Sequence, residues 1–529
     1  QLFKFRMDKW FKISGWQGSV PQEEIPVLPY ADFFQQLCRA LERESCHIAS
    51  YFGVPESDVL RLYCLMLDDA SGEVMIASCL LEGYGKDQVS RTPDSQDKQE
   101  LIPSLTARYP AVHPFERELI EQFGVGYIDH PWAKPLRFAH DRADRSKQLN
   151  NYPFYSIRGE ALHEVNVGPI HAGIIEPGCF RFICNGEQII HLEIVLGFQH
   201  RGVERLIRET PNLLRQSLLC EGVAGDSAAA HGMAYAGVVE SLHAVAGAEP
   251  VGIRLELERT IALEMERIAL HLADTGALCM DIGFQLGQVS CEALRTIVIN
   301  TTQRWCGNRF AKGLIRCGGT HYPLTSEIAA LIRKNLDEVE RRYAEVVYAL
   351  ENSSSVLARF EDCGVVTRAQ AHRIGAVGMA ARASGLERDL RRSHTGHVYG
   401  SLLVHDPVVE SSGDVYARLK VRMREAVQSM GHVRTMLDLL DSQSRVSCPP
   451  DYGMKLASDR LAFSLVEGWR GEICHVALTD PEGRVKVYKI VDPSVHNWTA
   501  LALSVRGIGI SDFPICNKSF NLSYCGHDL

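Results

Sequence analysis

Apolar residues recur along this chain with two different periods, and the change of period divides it in two. Between Pro26 and His140 the apolar runs are short. Val59–Met66 and Val74–Leu81 are compact and bounded by polar or turn residues, which predicts strands. The stretch Gly83–Glu100 is polar and turn-rich and predicts a surface loop, and Pro114–Phe123 predicts a helix. Asp141–Tyr155 has few apolar positions and reads as a linker.

Beyond the linker the spacing becomes helical. Leu257, Ile261, Met265, Ile268 and Leu272 fall on one face of a helix, as do Ile332, Leu336, Val339, Val346 and Leu350. A third stripe runs through Val415, Leu419, Met423, Val427, Met430, Val433, Leu437 and Leu440. Stripes of this length predict long helices packed as a bundle. Two hairpins flank it. Phe180–Cys184 and Gln188–Ile194 enclose Asn185-Gly186, and Ile473–Leu478 and Arg484–Ile490 enclose Pro481-Glu482-Gly483. The expected fold class is α+β: a small α/β domain, then a large, mainly helical domain with flanking β-hairpins. The expected boundaries are an extension at 1–25, a first domain at 26–140, a linker at 141–158 and a second domain at 159–529.

Composition narrows the function classes. The chain has 529 residues, with 46% hydrophobic and 23% charged, which suits a sizeable core and excludes intrinsic disorder. A net charge of −9 disfavours an electrostatic nucleic-acid binder. No apolar run approaches the roughly 18 residues of a membrane span. The start, QLFKFRMDKW, lacks the apolar core of a secretory signal, and Met7 is a candidate first residue. Sixteen cysteines raise the question of a metal centre, but no C-x-x-C occurs, and the closest pair is Cys179 and Cys184. Arg506-Gly507-Ile508-Gly509 begins like a dinucleotide loop, but Asp512 stands where its third glycine should be. Gly83-Tyr84-Gly85-Lys86 lacks the rest of a phosphate loop, and neither H-E-x-x-H nor G-x-S-x-G is present.

Several segments together resemble a known family. Val167–Gly178 with Phe180-Arg181-Phe182 resembles the opening of the large subunit of group 4 nickel–iron hydrogenases of the formate hydrogenlyase (hydrogenase-4) type. Leu196–Glu204, which contains His200-Arg201-Gly202, resembles a turn shared by those enzymes and by the D-type subunit of complex I (NADH:quinone oxidoreductase). Leu263–Ala269, Gly313–Arg316 and Ala381–Gly385 fit the same superfamily. Phe115-Glu116-Arg117-Glu118, Phe123-Gly124-Val125 and His130-Pro131 resemble the signature of the C-type subunit of complex I, with Glu121 where that family usually has Asp. A fused C-like and D-like layout, covering nearly the whole chain, is what the resemblance implies.

The departures fall at the metal site. The family holds nickel and iron with four cysteines, in two C-x-x-C pairs. Here Ala224 and Ser227 occupy the first pair and Ser494 and Asn497 the second. None is a soft thiolate donor, so no metal is expected on this chain. Cys220 lies near and is expected to pack the core. The family's quinone-contacting histidine falls near Glu176-Pro177 and its tyrosine near Gly225, and both are absent. Glu176, Asp226, Arg470 and Asp492 are the candidate catalytic groups: Glu176 as a proton-relay carboxylate, Arg470 as the arginine above the vacated site, pairing with Asp492 or Asp226. His171, His200 and Arg201 are candidates for the face toward a partner's cluster. Glu264 and Glu266 are expected on a solvated or ion-paired helix face.

By resemblance, the partners are a small subunit carrying a 4Fe-4S cluster, ferredoxin-like subunits and antiporter-like membrane subunits, with no nucleic acid. No cofactor is expected on this chain, and quinone or NAD(H) would be used by the wider complex. The expected place is peripheral, on the cytoplasmic face of the cell membrane. The expected function is to couple electron transfer to ion or proton translocation; the alternative is a non-catalytic scaffold that docks the peripheral arm.

Overall fold

A computed structural model describes residues 9–84, 101–173, 175–247, 251–396, 398–443 and 447–529. The expected surface loop at Gly83–Glu100 lies mostly outside these, as does Met7.

The first unit is a sheet with helices on it. Strands Cys46–Glu56, Val59–Asp68 and Glu73–Glu82 pair antiparallel in that order, so both predicted strands form and lengthen by a few residues. Helix Tyr30–Leu41 buries Phe33, Leu37 and Leu41 against the sheet. Helix His113–Phe123 starts with Pro114 in its first turn and stops at Gly124, whose left-handed φ of 68° suits glycine.

Of the segment expected as an N-terminal extension, the described residues 9–25 join both units. Phe11–Ser14 pairs with Glu73–Glu82 in the first sheet, and Gln17–Pro21 pairs with Arg460–Glu467 in the second. Pairing with two different sheets is a long-range event that short-range apolar spacing does not encode.

The second unit places a four-stranded sheet between that first core and the helices. The order is Val485–Val491, Glu472–Thr479, Arg460–Glu467, Gln17–Pro21. Strand alternation divides the sheet's side chains cleanly. Leu461, Phe463, Leu465, Cys474, Val476 and Leu478 join the core of the first unit, while Ala462, Val466, Ile473, Ala477, Tyr488 and Ile490 join the core of the second. Helix Ala228–Val245 lies on this second face, and Gly237 lets it close in: a Cβ there would sit 2.4 Å from Ser464 Oγ. A buried ion pair joins the units, Glu118 to Lys489 at 2.5 Å, and Arg137 of the first unit braces the same carboxylate at 2.9 Å.

The predicted long helices are Ile253–Asp281, Ser326–Glu351 and Val415–Asp441. Gln285–Cys306 packs beside the first of them and is absent from the expected helices. Its buried Cys291, Leu294, Val298 and Trp305 are spaced by three, four and seven, as on one helix face, but the exposed Leu286 and Val289 blur that pattern in the sequence. The stripe residues are buried, with one exception: Val427 is 41% exposed. Successive steps of four on a helix of 3.6 residues per turn drift by about 40° each, and Val427 is three such steps beyond Val415. Both predicted hairpins form, and Leu162–Val167 adds a third strand to the first. Among the described residues no helix is long and apolar enough to cross a membrane. Thirteen of the sixteen cysteines are buried and all are free, so the sulfur is core material. Cys220 is one of these, and burial pushes its thiol far up.

Candidate functional site

The turn between helices Leu213–Glu221 and Ala228–Val245 carries Ala224, Asp226 and Ser227, and it is held from several sides. Glu221 pairs with Arg316 at 2.6 Å and accepts from Gly313 N–H at 2.8 Å. Arg201 donates to the carbonyls of Gly222 at 2.6 Å, Val223 at 3.0 Å and Cys525 at 2.9 Å. Arg470 donates to both Asp226 oxygens at 2.7 Å and to the Asn521 carbonyl at 2.6 Å. Its ring neighbour Trp469 lies 3.9 Å under the guanidinium and donates to the Asp226 carbonyl at 2.9 Å. Burial lowers the pKa of Arg470, but Asp226 outweighs it, and the net direction is up. Of the two partners expected for Arg470, the structure selects Asp226.

Asp492 caps helix Pro493–Ser504 by accepting from Ser494 N–H at 2.8 Å. Its other oxygen accepts from His231 Nε2 at 3.2 Å. Burial pushes the Asp492 carboxyl up, but His231 and then Arg470 outweigh it and hold it below the usual carboxylate range. From His231 the bonds continue: Nδ1 lies 3.0 Å from His475 Nε2, and His475 Nδ1 lies 2.8 Å from the Tyr488 hydroxyl. With Asp492 ionised and both imidazoles neutral, every proton in the row points toward the carboxylate. Burial keeps His475 far below the ordinary histidine range. Sequence patterns do not single out His475 or Tyr488. Nothing in their strands marks either one, and strand alternation turns both toward His231.

Glu264 takes the ion-paired form of its expectation, and Glu266 corrects it, being neither solvated nor ion-paired among the described residues. Helix Ile253–Asp281 is central to the bundle and buried on nearly all faces. Glu264 is ion-paired with Arg267 at 3.1 Å. Glu266 makes no ion pair among the described residues; it accepts from Ala229 N–H at 2.8 Å and Ala230 N–H at 3.4 Å, at the start of helix Ala228–Val245. Burial, with Asp226 nearby, pushes its pKa up to about 8. A second raised carboxyl, Glu467, stands at about 7 because of burial and the charge of Asp389. It bonds Arg382 at 2.8 Å, in a buried network with Asp389, Arg391 and Glu425. Arg267 ties this network to the Arg470 loop by donating to the carbonyls of Glu467 at 2.5 Å and Gly468 at 2.9 Å.

The remaining candidates lie around this centre. Half-buried Glu176 stands against Cys525 and Tyr524. Cys525 adjoins Gly526, whose missing side chain makes room for Asp492: a Cβ would lie 2.7 Å from Asp492 Cγ. His171 bonds the Gly178 carbonyl at 2.9 Å, within its own loop. His200 Nδ1 donates to the Asp528 carbonyl at 2.7 Å, while Arg201 N–H donates to the Leu529 oxygen at 2.7 Å. The His200-Arg201 turn thus holds Ser523–Leu529 against the 221–227 segment.

The four positions at which the motif resemblance would put metal thiolates carry other residues. Ala224 has no donor atom. Ser227 receives a long contact from Arg470 at 3.4 Å. Ser494 Oγ accepts from Ser523 N–H at 2.9 Å. The Asn497 amide pairs with both the N–H and the carbonyl of Val377, each at 3.1 Å. Backbone-bonded hydroxyl and amide groups are hard, neutral and already satisfied, so this donor set does not fit a nickel–iron group. Among the described residues no cluster of three or more histidine, cysteine or acidic side chains forms a metal site.

Comparison with known proteins places this geometry. Residues 281–528 match the family described as "Respiratory-chain NADH dehydrogenase, 49 Kd subunit". The chain is 28% identical to formate hydrogenlyase subunit 5 of Escherichia coli (strain K12) over 440 residues, covering 80% of this chain and 76% of that one. It is 29% identical to the membrane-bound hydrogenase subunit alpha of Pyrococcus furiosus, covering 68% and 85%. Its fold matches a chain of the membrane-bound sulfane sulfur reductase, an archaeal respiratory membrane complex, with a TM-score of 0.63 at 22% identity, over 71% of this chain and all of the other. The resemblance read from the motifs is borne out, and so is the α+β class.

Proposed function

We propose that this chain, similar to group 4 hydrogenase large subunits, works in a membrane-associated complex I-like or hydrogenase-4-like redox complex that has lost its nickel–iron site. In this reading it couples electron transfer at a 4Fe-4S cluster in a small-subunit partner to ion or proton movement. Ferredoxin-like subunits and antiporter-like membrane subunits complete the assembly, and the chain sits peripherally on the inner membrane face. Quinone or NAD(H), where used, belongs to the wider complex. The relatives' own names support the setting, since they describe membrane-bound hydrogenases and a respiratory membrane complex.

One observation carries the metal-free reading. The Asp226–Arg470 pair and the bonds of Ser494 and Asn497 occupy the place that four thiolates would need. The partner's cluster supplies the one-electron chemistry; the part of this chain is to answer a change of charge there. Asp226 is the outermost group of the centre, and charges are felt strongly in a poorly solvated interior. A more negative charge near Asp226 raises the proton affinity of Glu266 and of the Asp492–His231–His475–Tyr488 row. A proton drawn in on reduction and released on oxidation is the coupling unit.

The test is made on the purified complex. Nickel is expected at background, and the cluster's midpoint potential is expected to fall with pH in wild type and to lose that slope near pH 8 in Glu266→Gln. Stoichiometric nickel, or the same slope in both proteins, overturns the reading. The scaffold alternative draws on the mutual satisfaction of Asp226 and Arg470, which leaves neither free for chemistry. Unchanged turnover and ion movement in Glu176→Gln and in Glu266→Gln would favour it.

A further inference from the structure

A second site lies away from this centre, in a cavity of about 380 Å³ between the two units. We propose that this cavity binds a small aromatic carboxylate. Its size falls within the usual range for small-ligand pockets. One wall is the start of helix His113–Phe123 with the turn that follows Pro131; the other is strand Gln188–Val195 and helix Pro493–Ser504. Leu192, Ile194, Val495 and Leu503 make much of the lining apolar.

Two features choose the ligand. The first is aromatic surface with unmet hydrogen bonds. Trp132 stacks on His113 with ring centres 4.8 Å apart, and Trp498 lines the same cavity. His113 Nδ1 and Trp498 Nε1 are both buried and have no hydrogen-bond partner among the described residues. Folding rarely leaves such atoms without a reason. The second is charge. Arg117 is buried and lies 4.2 Å over the Trp132 ring, yet it spends its bonds on the carbonyls of Lys134 and Pro135 and pairs with no carboxylate among the described residues. Arg506, exposed and also lining the cavity, makes no side-chain bond among the described residues. Lys134 and Glu193 neutralise each other. The cavity thus offers ring faces, the guanidinium of Arg506 with no carboxylate bonded to it, and that of Arg117, on which Glu121 and Glu193 act by charge without forming an ion pair; together these suit a flat ring bearing one negative charge. A purely aliphatic molecule would leave the Arg506 charge unanswered.

The test titrates the full chain with 2-naphthoate, and with 2-naphthol as the neutral comparator, by calorimetry and saturation-transfer NMR. Saturable binding of naphthoate, tighter than naphthol, is expected. Arg506→Glu should weaken naphthoate by about fivefold or more while leaving naphthol unchanged. Ala502→Trp, which fills the cavity from one wall, should abolish binding of both with the thermal midpoint retained. Absence of saturable naphthoate binding overturns the proposal, as does equal binding of the two probes that Arg506→Glu does not disturb. Should Ala502→Trp fail to fold, the exposed Arg506→Glu variant decides the matter alone.

Discussion

Asp226 and Arg470 are joined by two parallel bonds of 2.7 Å, and the same arginine reaches the Asn521 carbonyl at 2.6 Å. One guanidinium therefore ties together the turn before helix Ala228–Val245, the Trp469 loop and the segment leading to Leu529. Where the family resemblance puts an arginine facing diatomic ligands of iron, this chain has an arginine committed to a carboxylate.

Breaking that pair from either side should destabilise the fold. Arg470→Met leaves Asp226 partly shielded without its partner, and about 1–3 kcal/mol is expected, below the full cost of a buried pair because the Asp226 side chain is 33% exposed. Urea unfolding followed by tryptophan emission measures it. In the double variant with Asp226→Asn, recovery of much of the loss would show that the unpaired charge causes it; strictly additive losses would contradict the pairing.

Glu266 should make stability depend on pH. Its folded pKa of about 8 lies above the ordinary carboxyl value of 4.5, so the folded state holds a proton that the unfolded state releases. Stability from this group is complete below pH 4.5 and is lost as pH rises through 8. Glu266→Gln removes the dependence and should gain about 2–4 kcal/mol relative to wild type at pH 9, with little difference at pH 4. Parallel stability–pH curves for the two proteins would refute the assignment.

Asn497 should prove structural. Asn497→Ala strands the N–H and the carbonyl of Val377 inside the protein, at an expected cost of about 2–3 kcal/mol. Faster hydrogen exchange at the Val377 amide is the specific readout, and a protected amide in the variant would argue against the pairing.

Glu121 gives a test in the first unit. Its carboxylate accepts from the backbone N–H of Leu136 at 2.6 Å, Arg137 at 3.0 Å and Ala139 at 2.6 Å. The residue usual at this place in the C-type family of complex I, Asp, is one methylene shorter. Glu121→Asp should pull the carboxylate off these three amides and cost about 1–2 kcal/mol, read by thermal unfolding.

Two valines on one helix separate pattern from position. Val433→Ala removes buried methyl groups and should cost about 1–2 kcal/mol, whereas Val427→Ala, at a 41% exposed position, should change stability by no more than about 0.5 kcal/mol.

The elements most legible in the sequence are those whose period is local. Strands Val59–Asp68 and Glu73–Glu82, the three long helices and both hairpins follow from spacing and turn residues, because backbone geometry imposes those periods on every chain. Helix Gln285–Cys306 is harder to read because exposed apolar Leu286 and Val289 blur its buried stripe. Glu266 escapes a sequence reading for another reason: a polar residue on a central helix has no solvent side to turn to.

The candidate site divides in the same way. That Ala224, Ser227, Ser494 and Asn497 carry no thiolate is a matter of residue identity, and the sequence alone determined it. That Arg470 chooses Asp226 over Asp492, that His231, His475 and Tyr488 form one row, and that Glu266 sits unpaired at a helix start were decided only by tertiary structure. Those relations join residues up to 261 positions apart. Charge pairing and hydrogen bonding depend on distances of a few ångströms, and only the packed chain sets such distances between segments so remote.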